Sequence, residues 1–549
     1  MNKKRVLVVS EAHYVSSGFG TYANEVLTRL HKTGKYELAE FASYGKLEQA
    51  KCPWLFYANL PNDNNKQEVD LYNSNSSYQF GTWRFDRVCL DFKPDIVISY
   101  RDPWMDNWIQ NDALRKYFHW IWMPTVDSAP QKQNWIDTFS SCDALLAYSE
   151  FGGNVLQEQG KERVNFIGCA SPGIDPNIYK PMPKASHRAS LNVDPDCFIV
   201  GTVMRNQKRK LFFELMKAFR MFLDQAPPEI AAKTFLYLHT SYPERQGWDI
   251  AEGLMQNNLG GKIMMTYICK HCNKFFPAIF QDAITTCKYC HQKSAVCPTV
   301  SMGVSVPDLA QIYNLFDIYI QYAICEGFGM PQVEAAACGI PVAATDYSAM
   351  SDVIQFTKGY PIPVRTFFRE LETNAERAYP DNEALAKILV QFFTNTDQDR
   401  LQKSLEVRTN TIQRYNWDKT AQVWEQYLDN YTVKNQQGQW DAPPQITSVP
   451  DSIPDNLSND DFAIWICSQV LHDPDMLHRP EGVNLSRSLA LGAEITDGHV
   501  QPINRDQIFE KYKQLANNNN MVEAARVDPS RLANDQFIVD AHERMKSIV

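Results

Sequence analysis

The sequence lacks the features that define several classes of protein. It contains no run of about 18 uninterrupted apolar residues, so a bilayer-spanning helix is not expected. The apolar stretch Val6–Val9, which follows Lys3, Lys4 and Arg5, is too short for the core of a signal peptide. No repeat of fixed period is present, which argues against a solenoid. A globular protein without a membrane span is therefore expected.

Positive charge is also in short supply. The chain has 54 Lys and Arg residues against 64 Asp and Glu residues, which gives a formal net charge of −10. This balance argues against a broad basic face that binds nucleic acid, although it permits a local patch. Small ligands and glycans are the favoured partners, and the charge gives no information on the oligomeric state.

Cysteine is abundant, but its spacing does not suit a disulfide framework. Of the 13 cysteines, four form the pairs Cys269-x2-Cys272 and Cys287-x2-Cys290, separated by 14 residues. Four thiolates at this spacing predict a zinc ribbon that binds Zn²⁺ with a closed coordination sphere, which is a structural rather than a catalytic arrangement. His271 and His291 adjoin the pairs and are weaker candidates as ligands. One metal site and scattered thiols indicate a reducing, cytoplasmic compartment.

The order of apolar segments predicts an α/β fold. Residues 5–10 form an apolar, β-branched run, followed by a Ser/Gly-rich loop and a helical pattern from Tyr22 to Leu30. A second such pattern begins at Phe198, after a proline-rich passage. Two tandem α/β units imply two Rossmann-like domains with mostly parallel sheets, facing a cleft. At 549 residues, the chain has room for these two and for a further small unit.

The predicted boundaries follow these changes in pattern. A polar stretch rich in Pro, Asn and Asp separates the second α/β unit from a region with helical patterns near Phe462 and Ile508. The predicted segments are a first domain over 1–185, a second domain over 186–432 with a zinc-ribbon insert at 266–300, a linker over 433–460 and a mainly helical extension over 461–549.

The most informative segment runs from Glu326 to Val342. A glycine-containing loop, Gly327-Phe-Gly329, leads into a short helix that contains Glu334 and ends near Gly339. Free N–H groups at such a helix N-terminus bind phosphate oxygens, and a carboxylate such as Glu334 accepts hydrogen bonds from the hydroxyls of a ribose. An ordinary turn with two surface carboxylates is the alternative.

This segment resembles the Glu-x7-Glu donor-binding motif of retaining glycosyltransferases with the GT-B fold, specifically glycosyltransferase family 4, also called glycosyltransferases group 1. The resemblance covers residues 1 to about 430. Five further elements match in order: Ser17-Gly18-Phe19-Gly20, Ser171-Pro-Gly-Ile-Asp175, Arg205 with Lys210, Asp308-Leu-Ala-Gln-Ile-Tyr313, and Tyr415-Asn-Trp417. Ser17 departs from the family pattern, because a glycine is usual there.

The resemblance implies a site for a nucleotide-diphosphate sugar, of the UDP or GDP type, without a catalytic metal. It implies that Arg205 and Lys210 hold the diphosphate, although Lys208, Arg209 and Lys210 also form a basic run of the kind that is often solvated. It further implies that the helix at 416–431 packs back on the first domain. The implied donor-binding residues are Gly18, Gly20, Arg205, Lys210, Glu326, Gly327, Phe328, Gly329, Met330 and Glu334.

The first domain supplies fewer matches. Many family members have a histidine near the donor sugar, whereas the matching region here is Met123-Pro-Thr-Val-Asp127. Asp127 is thus the nearest polar candidate for a catalytic role beside Glu326, Arg205 and Lys210, and capping of a helix is an equally good interpretation of it. Arg101, Asp102 and Trp104 follow the end of a predicted strand and are weaker candidates for acceptor binding. The other tryptophans suit the core or a sugar platform.

The function implied is transfer of a sugar from a nucleotide sugar to a hydroxyl, with retention of anomeric configuration. A glycan or lipid-linked sugar is the favoured acceptor. One alternative is transfer to a modified base of DNA, and nucleic acid is then a partner. An alternative of another class is an inactive, transferase-like scaffold that uses the zinc ribbon for protein or nucleic-acid contacts.

Overall fold

The computed structural model describes residues 3–299, 302–433, 440–496, 499–528, 530 and 532–548. Residue 300 of the predicted ribbon insert and residues 434–439 of the predicted linker lie outside the described residues. Two α/β units follow each other along the chain, each with a mainly parallel sheet, and a C-terminal extension comes after them. The prediction of two Rossmann-like domains is confirmed.

The first domain is a seven-stranded parallel sheet in the order β3-β2-β1-β4-β5-β6-β7. Val6 to Val9 of β1 are almost completely buried, as expected for a central strand covered on both faces. The strands are β1 (Lys4–Glu11), β2 (Tyr36–Ser43), β3 (Leu55–Ala58), β4 (Ile96–Ser99), β5 (His119–Trp122), β6 (Ala144–Ala147) and β7 (Phe166–Cys169). The helices are α1 (Gly18–Thr33), α2 (Lys66–Ser74), α3 (Phe85–Phe92), α4 (Pro103–Asp106), α5 (Gln133–Ser140) and α6 (Glu150–Gly160).

The second domain has a nine-stranded sheet whose main path runs β12-β13-β10-β9-β8-β14-β15-β16, with β11 paired to β10. Its strands are β8 (Phe198–Val203), β9 (Thr234–His239), β10 (Ile263–Cys269), β11 (Phe275–Ile279), β12 (Ile284–Thr285), β13 (Ala295–Val296), β14 (Ile318–Gln321), β15 (Val342–Thr345) and β16 (Tyr360–Ile362), and a separate hairpin has β17 (Val364–Arg369) and β18 (Glu376–Pro380).

Ten helices of this part of the chain are described. They are α7 (Lys184–Ser190), α8 (Phe212–Gln225), α9 (Pro228–Lys233), α10 (Ile250–Gln256), α11 (Val306–Tyr313), α12 (Met330–Ala337), α13 (Ala349–Thr357), α14 (Asn382–Thr394), α15 (Asp397–Arg414) and α16 (Trp417–Asn430). The predicted boundary at 185/186 falls inside α7. Lys184 and Arg188 of this helix both form ion pairs with Asp317, which precedes β14, so the whole of α7 packs on the second domain.

Helix α16 packs against α1 of the first domain. The indole N–H of Trp424 donates a 2.8 Å hydrogen bond to the hydroxyl of Tyr22, and both side chains are buried. At the surface, Arg29 of α1 forms an ion pair with Asp418 at 2.6 Å. The end of the second domain is therefore tied to the start of the first.

The C-terminal extension is mainly helical and contains one small hairpin. Its elements are α17 (Asn459–Trp465), α18 (Pro480–Leu491), α19 (Arg505–Arg526), α20 (Gln536–Ile548), β19 (Ala493–Thr496) and β20 (His499–Pro502), and a single π-helical turn, Ile466–Val470, continues α17. Trp440, inside the predicted linker, is fully buried and stacks on Tyr117 of the first domain. This part of the linker is therefore anchored, because an indole buried on another domain fixes the backbone that carries it.

In both sheets the strand order reverses next to the first strand of the domain, and this reversal indicates where a ligand binds. In the first sheet β4 lies on the opposite side of β1 from β2, and in the second sheet β14 lies on the opposite side of β8 from β9. Crevices form at the carboxyl ends of strands at such a switch point. The loops that follow β1 and β4 in one domain, and β8 and β14 in the other, are thus the positions for a shared site.

Candidate active site between the two domains

The loop after β1 begins helix α1 with a tight turn. The Ser17 hydroxyl accepts a 3.0 Å hydrogen bond from the N–H of Gly20 and thereby caps the helix. A Cβ atom on Gly20 would lie 2.4 Å from the carbonyl oxygen of Val15, so this turn admits no side chain. A Cβ on Gly18 would lie 3.9 Å from Sδ of Met330, so the loop touches the second domain.

The loop Glu326–Gly329 leads from β14 into α12. Gly329 is the N-cap of α12 and has φ +83°, a conformation that favours glycine. Because glycine has no side chain, no side-chain hydrogen bond caps the first turn of this helix. A Cβ on Gly327 would lie 2.4 Å from Cγ2 of Thr125 in the first domain. The backbone of this loop therefore approaches the first domain closely, and the partial positive charge of a helix N-terminus lies beside it.

Glu326 is buried and contacts two cations. Its Oε2 accepts a 2.8 Å hydrogen bond from Arg209, and its Oε1 contacts the ammonium of Lys210. The backbone holds these residues together, because the N–H of Ile324 donates to the carbonyl of Arg209 and Lys210 bridges to Ala323. Burial and the adjacent Arg209 lower the pKa of Lys210. Arg209 and Lys210 are thus the cations that lie at this position beside the loop.

Of the predicted diphosphate-binding pair, Arg205 and Lys210, only Lys210 lies beside Glu326. Lys210 is buried at the site, which excludes the solvated interpretation for it. Arg205 instead has a half-exposed side chain and donates to Glu244 at 3.2 Å. Arg209, which we did not single out, takes the position beside Glu326. The resemblance directs attention to the Arg-x4-Lys spacing, and only the structure shows that the residue before Lys210 also faces the cleft.

Glu334 is buried rather than open. Its Oε2 accepts a 2.7 Å hydrogen bond from the hydroxyl of Tyr313. Burial raises the pKa of Glu334, and the hydroxyls of Tyr313 and Tyr179 oppose that shift. Phe328 is also buried, with its ring 5.4 Å from that of Tyr415. A ribose hydroxyl that used Glu334 would therefore bind a carboxylate that already accepts from Tyr313.

On the first-domain side, Asp127 lies in the interface between the domains. Its Oδ1 accepts a 2.8 Å hydrogen bond from Arg377, and Sγ of Cys325 lies 3.2 Å from its Oδ2. Although burial acts in the opposite direction, the Arg377 guanidinium lowers the pKa of Asp127. Helix α5 begins at Gln133 with Lys132 as its N-cap, so the interpretation of Asp127 as a helix cap is wrong.

The three candidate acceptor-binding residues, Arg101, Asp102 and Trp104, lie in different environments. Burial raises the pKa of Asp102 to about 6, with the nearby Asp127 acting in the same sense and the Thr125 hydroxyl and Arg209 opposing it. Asp102 therefore borders the cleft. Trp104 is 53% exposed and contacts Phe80 edge to face.

Arg101 does not line the cleft, contrary to expectation. Its side chain is fully buried, forms an ion pair with Asp106 and donates to the hydroxyl of Ser43 at 2.6 Å and the carbonyl of Phe80 at 2.9 Å. With its donors engaged inside the first domain, it fixes the loop that carries Asp102 and Trp104. Trp120 and Trp122 are fully buried core residues, stacked on each other.

The four predicted zinc ligands converge at the edge of the second sheet. The sulfur atoms of Cys269, Cys272, Cys287 and Cys290 all lie within 4.8 Å of one another, with two of the separations 3.5 and 3.7 Å. Tetrahedral Zn–S bonds of about 2.3 Å require S–S separations of roughly 3.8 Å, so the arrangement is compatible with zinc. Neither His271 nor His291 belongs to this cluster of described residues.

The ribbon is continuous with the sheet rather than a separate module. Cys269 is the last residue of β10, and the ribbon strands β11 and β13 pair antiparallel with β10. The four-cysteine segment therefore extends one edge of the second sheet.

Comparisons with known proteins agree with this architecture. Residues 297–369, which include the Glu326–Glu334 segment, match the family model described as "Glycosyl transferases group 1". No curated protein sequence matches the chain. Among the described residues, no helix has the length and apolar character to cross a membrane.

Solved structures share the whole two-domain body. Sucrose-phosphate synthase from Thermosynechococcus elongatus matches with a TM-score of 0.56 at 15% identity, covering 78% of this chain and 100% of its own. HepE from Anabaena, solved with UDP and glucose, matches with a TM-score of 0.54 at 14% identity and the same coverage. WaaG, a glycosyltransferase of lipopolysaccharide biosynthesis, matches with a TM-score of 0.51 at 10% identity, covering 78% and 100%. The chain therefore has the GT-B fold.

Proposed function

We propose that the chain is a glycosyltransferase that moves a sugar from a nucleotide-diphosphate sugar to a hydroxyl acceptor. The observation that carries the proposal is the convergence, at the switch point of the second sheet, of the Gly327–Gly329 loop, the uncapped end of α12 and the cations Arg209 and Lys210. This set suits a diphosphate leaving group, because backbone N–H groups and fixed cations stabilise the charge that develops as the glycosidic bond breaks. The match of residues 297–369 to group 1 glycosyltransferases supports it.

We propose that transfer retains the anomeric configuration, as the family resemblance implies. The bond from the anomeric carbon to the phosphate oxygen breaks, and the acceptor oxygen bonds to that carbon on the same face. The acceptor proton passes to the departing phosphate oxygen. Lys210 and Arg209 stabilise the diphosphate, with Arg205 joining them once it leaves Glu244. A glycan or lipid-linked sugar is the proposed acceptor.

The donor is the first thing to test. A panel of UDP and GDP sugars is screened for protection against thermal unfolding and for sugar release, because a bound donor stabilises the folded state by mass action. We expect one donor to raise Tm and to be hydrolysed slowly, and Glu326→Gln to slow that hydrolysis. Glu229→Gln, at an exposed carboxylate of α9, is the matched control. Absence of both protection and sugar release with every donor contradicts the proposal and favours the scaffold alternative.

We further propose that Cys269, Cys272, Cys287 and Cys290 hold one structural Zn²⁺. The backbone N–H of His271 donates to Sγ of Cys269, and that of Tyr289 donates to Sγ of Cys287, each at 3.4 Å. Such hydrogen bonds stabilise thiolates. Elemental analysis of the purified chain is expected to find about one zinc per chain, and Cys272→Ser to lower that content. Full-length chain that folds without metal would contradict this assignment.

A further inference from the structure

A hairpin outside both sheets joins the two domains beside the cleft. Strands β17 and β18 lie between β16 and α14, and the backbone of β18 contacts both domains. The N–H of Glu376 donates to the carbonyl of Ala129 in the first domain at 2.9 Å, and the N–H of Ala378 donates to the carbonyl of Ile324 in the second at 3.0 Å. The hairpin is therefore a bridge rather than a free loop.

Arg377 lies between these two hydrogen bonds and is buried. Its Nη1 donates to Oδ1 of Asp127 and to Sγ of Cys325, both at 2.8 Å. Its Nε and Nη2 donate to Oε2 of Glu370, on the turn of the same hairpin, at 2.9 and 2.7 Å. A planar guanidinium held by one carboxylate presents its remaining edge in a fixed direction, here toward Asp127.

Asp127 is fixed in turn but stays accessible. Both of its oxygens have partners, and its side chain remains 27% exposed. Cys325, which contacts both Asp127 and Arg377, directly precedes Glu326, so this network adjoins the carboxylate that contacts Arg209 and Lys210. The contacts run without a gap from the hairpin through the first domain's carboxylate to the candidate donor site.

We propose that Arg377 is a positioning residue that orients the Asp127 carboxylate beside Cys325 and Glu326, and that the hairpin over 364–380 thereby clasps the two domains in the arrangement that carries out transfer. The catalytic part of this inference rests on the proposed function. The clasp itself does not, because it is defined by contacts between the domains.

The clasp is tested without any activity. Hydrogen exchange of the full chain is compared between wild type, Arg377→Gln and the control Arg369→Gln. Arg369 is on the same hairpin, 52% exposed, and its ion pair with Glu376 stays within the hairpin. Peptides that contain Glu376 and Ala378 are expected to exchange about tenfold faster in Arg377→Gln than in Arg369→Gln, because their amides open with the interface. Equal exchange in the two variants overturns the clasp.

The positioning role is tested by a double-mutant cycle on transfer. Arg377→Gln is expected to lower kcat by about 100-fold, as a displaced catalytic-site group does, and to change the KM for the donor little. In an Asp127→Asn background the same substitution should change kcat by less than about twofold, because Arg377 acts through Asp127. Arg377→Lys, which keeps the charge but not the fork, should recover part of the loss.

Two results overturn the positioning role: a multiplicative effect of the two substitutions, or a kcat for Arg377→Gln equal to that of Arg369→Gln. If wild type transfers no sugar from any donor, the proposed function fails instead, and the exchange experiment still decides the clasp. A Tm of Arg377→Gln that still rises with donor shows that the donor site is folded.

Discussion

The two faces of the cleft are built in different ways. On the second-domain face, the groups proposed to bind the donor come from two short continuous segments, 205–210 and 326–334, and many of them are backbone groups. On the first-domain face, the candidate groups are the side chains of Asp102, Thr125 and Asp127, which follow the ends of neighbouring strands. A diphosphate makes the same demands in every donor, whereas acceptors differ, so the first face is the freer to change.

The largest expected effect on kcat comes from a substitution on the second-domain face of the cleft. Lys210→Met removes one fixed cation from the position of the leaving group and is expected to lower kcat by about 10²- to 10³-fold, as loss of one preorganised stabilising group does. Steady-state transfer or donor hydrolysis measures it.

The matched control is Lys208→Met. Lys208 belongs to the same basic run, but its side chain is exposed, so kcat should stay within about twofold of wild type, as expected for an isolated surface change. Equal losses in the two variants would show that the run acts through its overall charge, and the buried position of Lys210 would then have no special meaning.

The sequence predicts the second-domain face of the cleft better than the first-domain face. Apolar periodicity and glycine placement are local signals, so both Rossmann-like domains, the Glu326–Glu334 helix and the four-cysteine pattern are predicted from it. The sequence does not distinguish Arg209 from the other members of the basic run, because its direction depends on the pairing of Lys210 with Ala323. Arg377 lies 250 positions from Asp127 and carries no motif, so only the fold brings them together. The expectation for Arg101 is wrong, because a strand end predicts a position at the cleft but not the direction in which a side chain points.

A smaller effect, on stability, is expected in the glycine loop after β1, on the first-domain face. Gly20→Ala places a Cβ 2.4 Å from the carbonyl oxygen of Val15 and 2.8 Å from that of Ala12, and backbone atoms must shift to admit it. We expect a loss of about 2 kcal/mol in the free energy of unfolding, as for overpacking elsewhere. Urea unfolding of the full chain measures this loss.

Gly18→Ala is the control for that substitution. Its Cβ would find Met330 Sδ at 3.9 Å, an ordinary contact, so stability should change by less than about 0.5 kcal/mol. A loss as large as that of Gly20→Ala would mean that closeness between the domains, rather than the turn itself, demands glycine in this loop.

The smallest effect distinguishes two carboxylates on the first-domain face by sign. The pKa of Asp102 is raised to about 6 by burial, so ionising it opposes folding above pH 6, whereas the penalty vanishes below about pH 4, where the carboxyl is protonated in both states. Asp102→Asn should therefore raise the free energy of unfolding at pH 7.5 by about 1 to 2 kcal/mol, with the gain shrinking as pH falls through 6.

Asp127→Asn should do the reverse. Arg377 lowers the pKa of Asp127 against the effect of burial, so this carboxylate stabilises the fold above its unfolded pKa of about 4, and its contribution is lost only as pH falls below that value. Urea unfolding of both variants at pH 7.5, 6 and 5 compares them directly. A gain of stability in Asp127→Asn at pH 7.5 would show that Arg377 does not balance the burial of Asp127. The expected opposite signs would show that, on one face of the cleft, one carboxylate is ready to take a proton and its neighbour is held ionised.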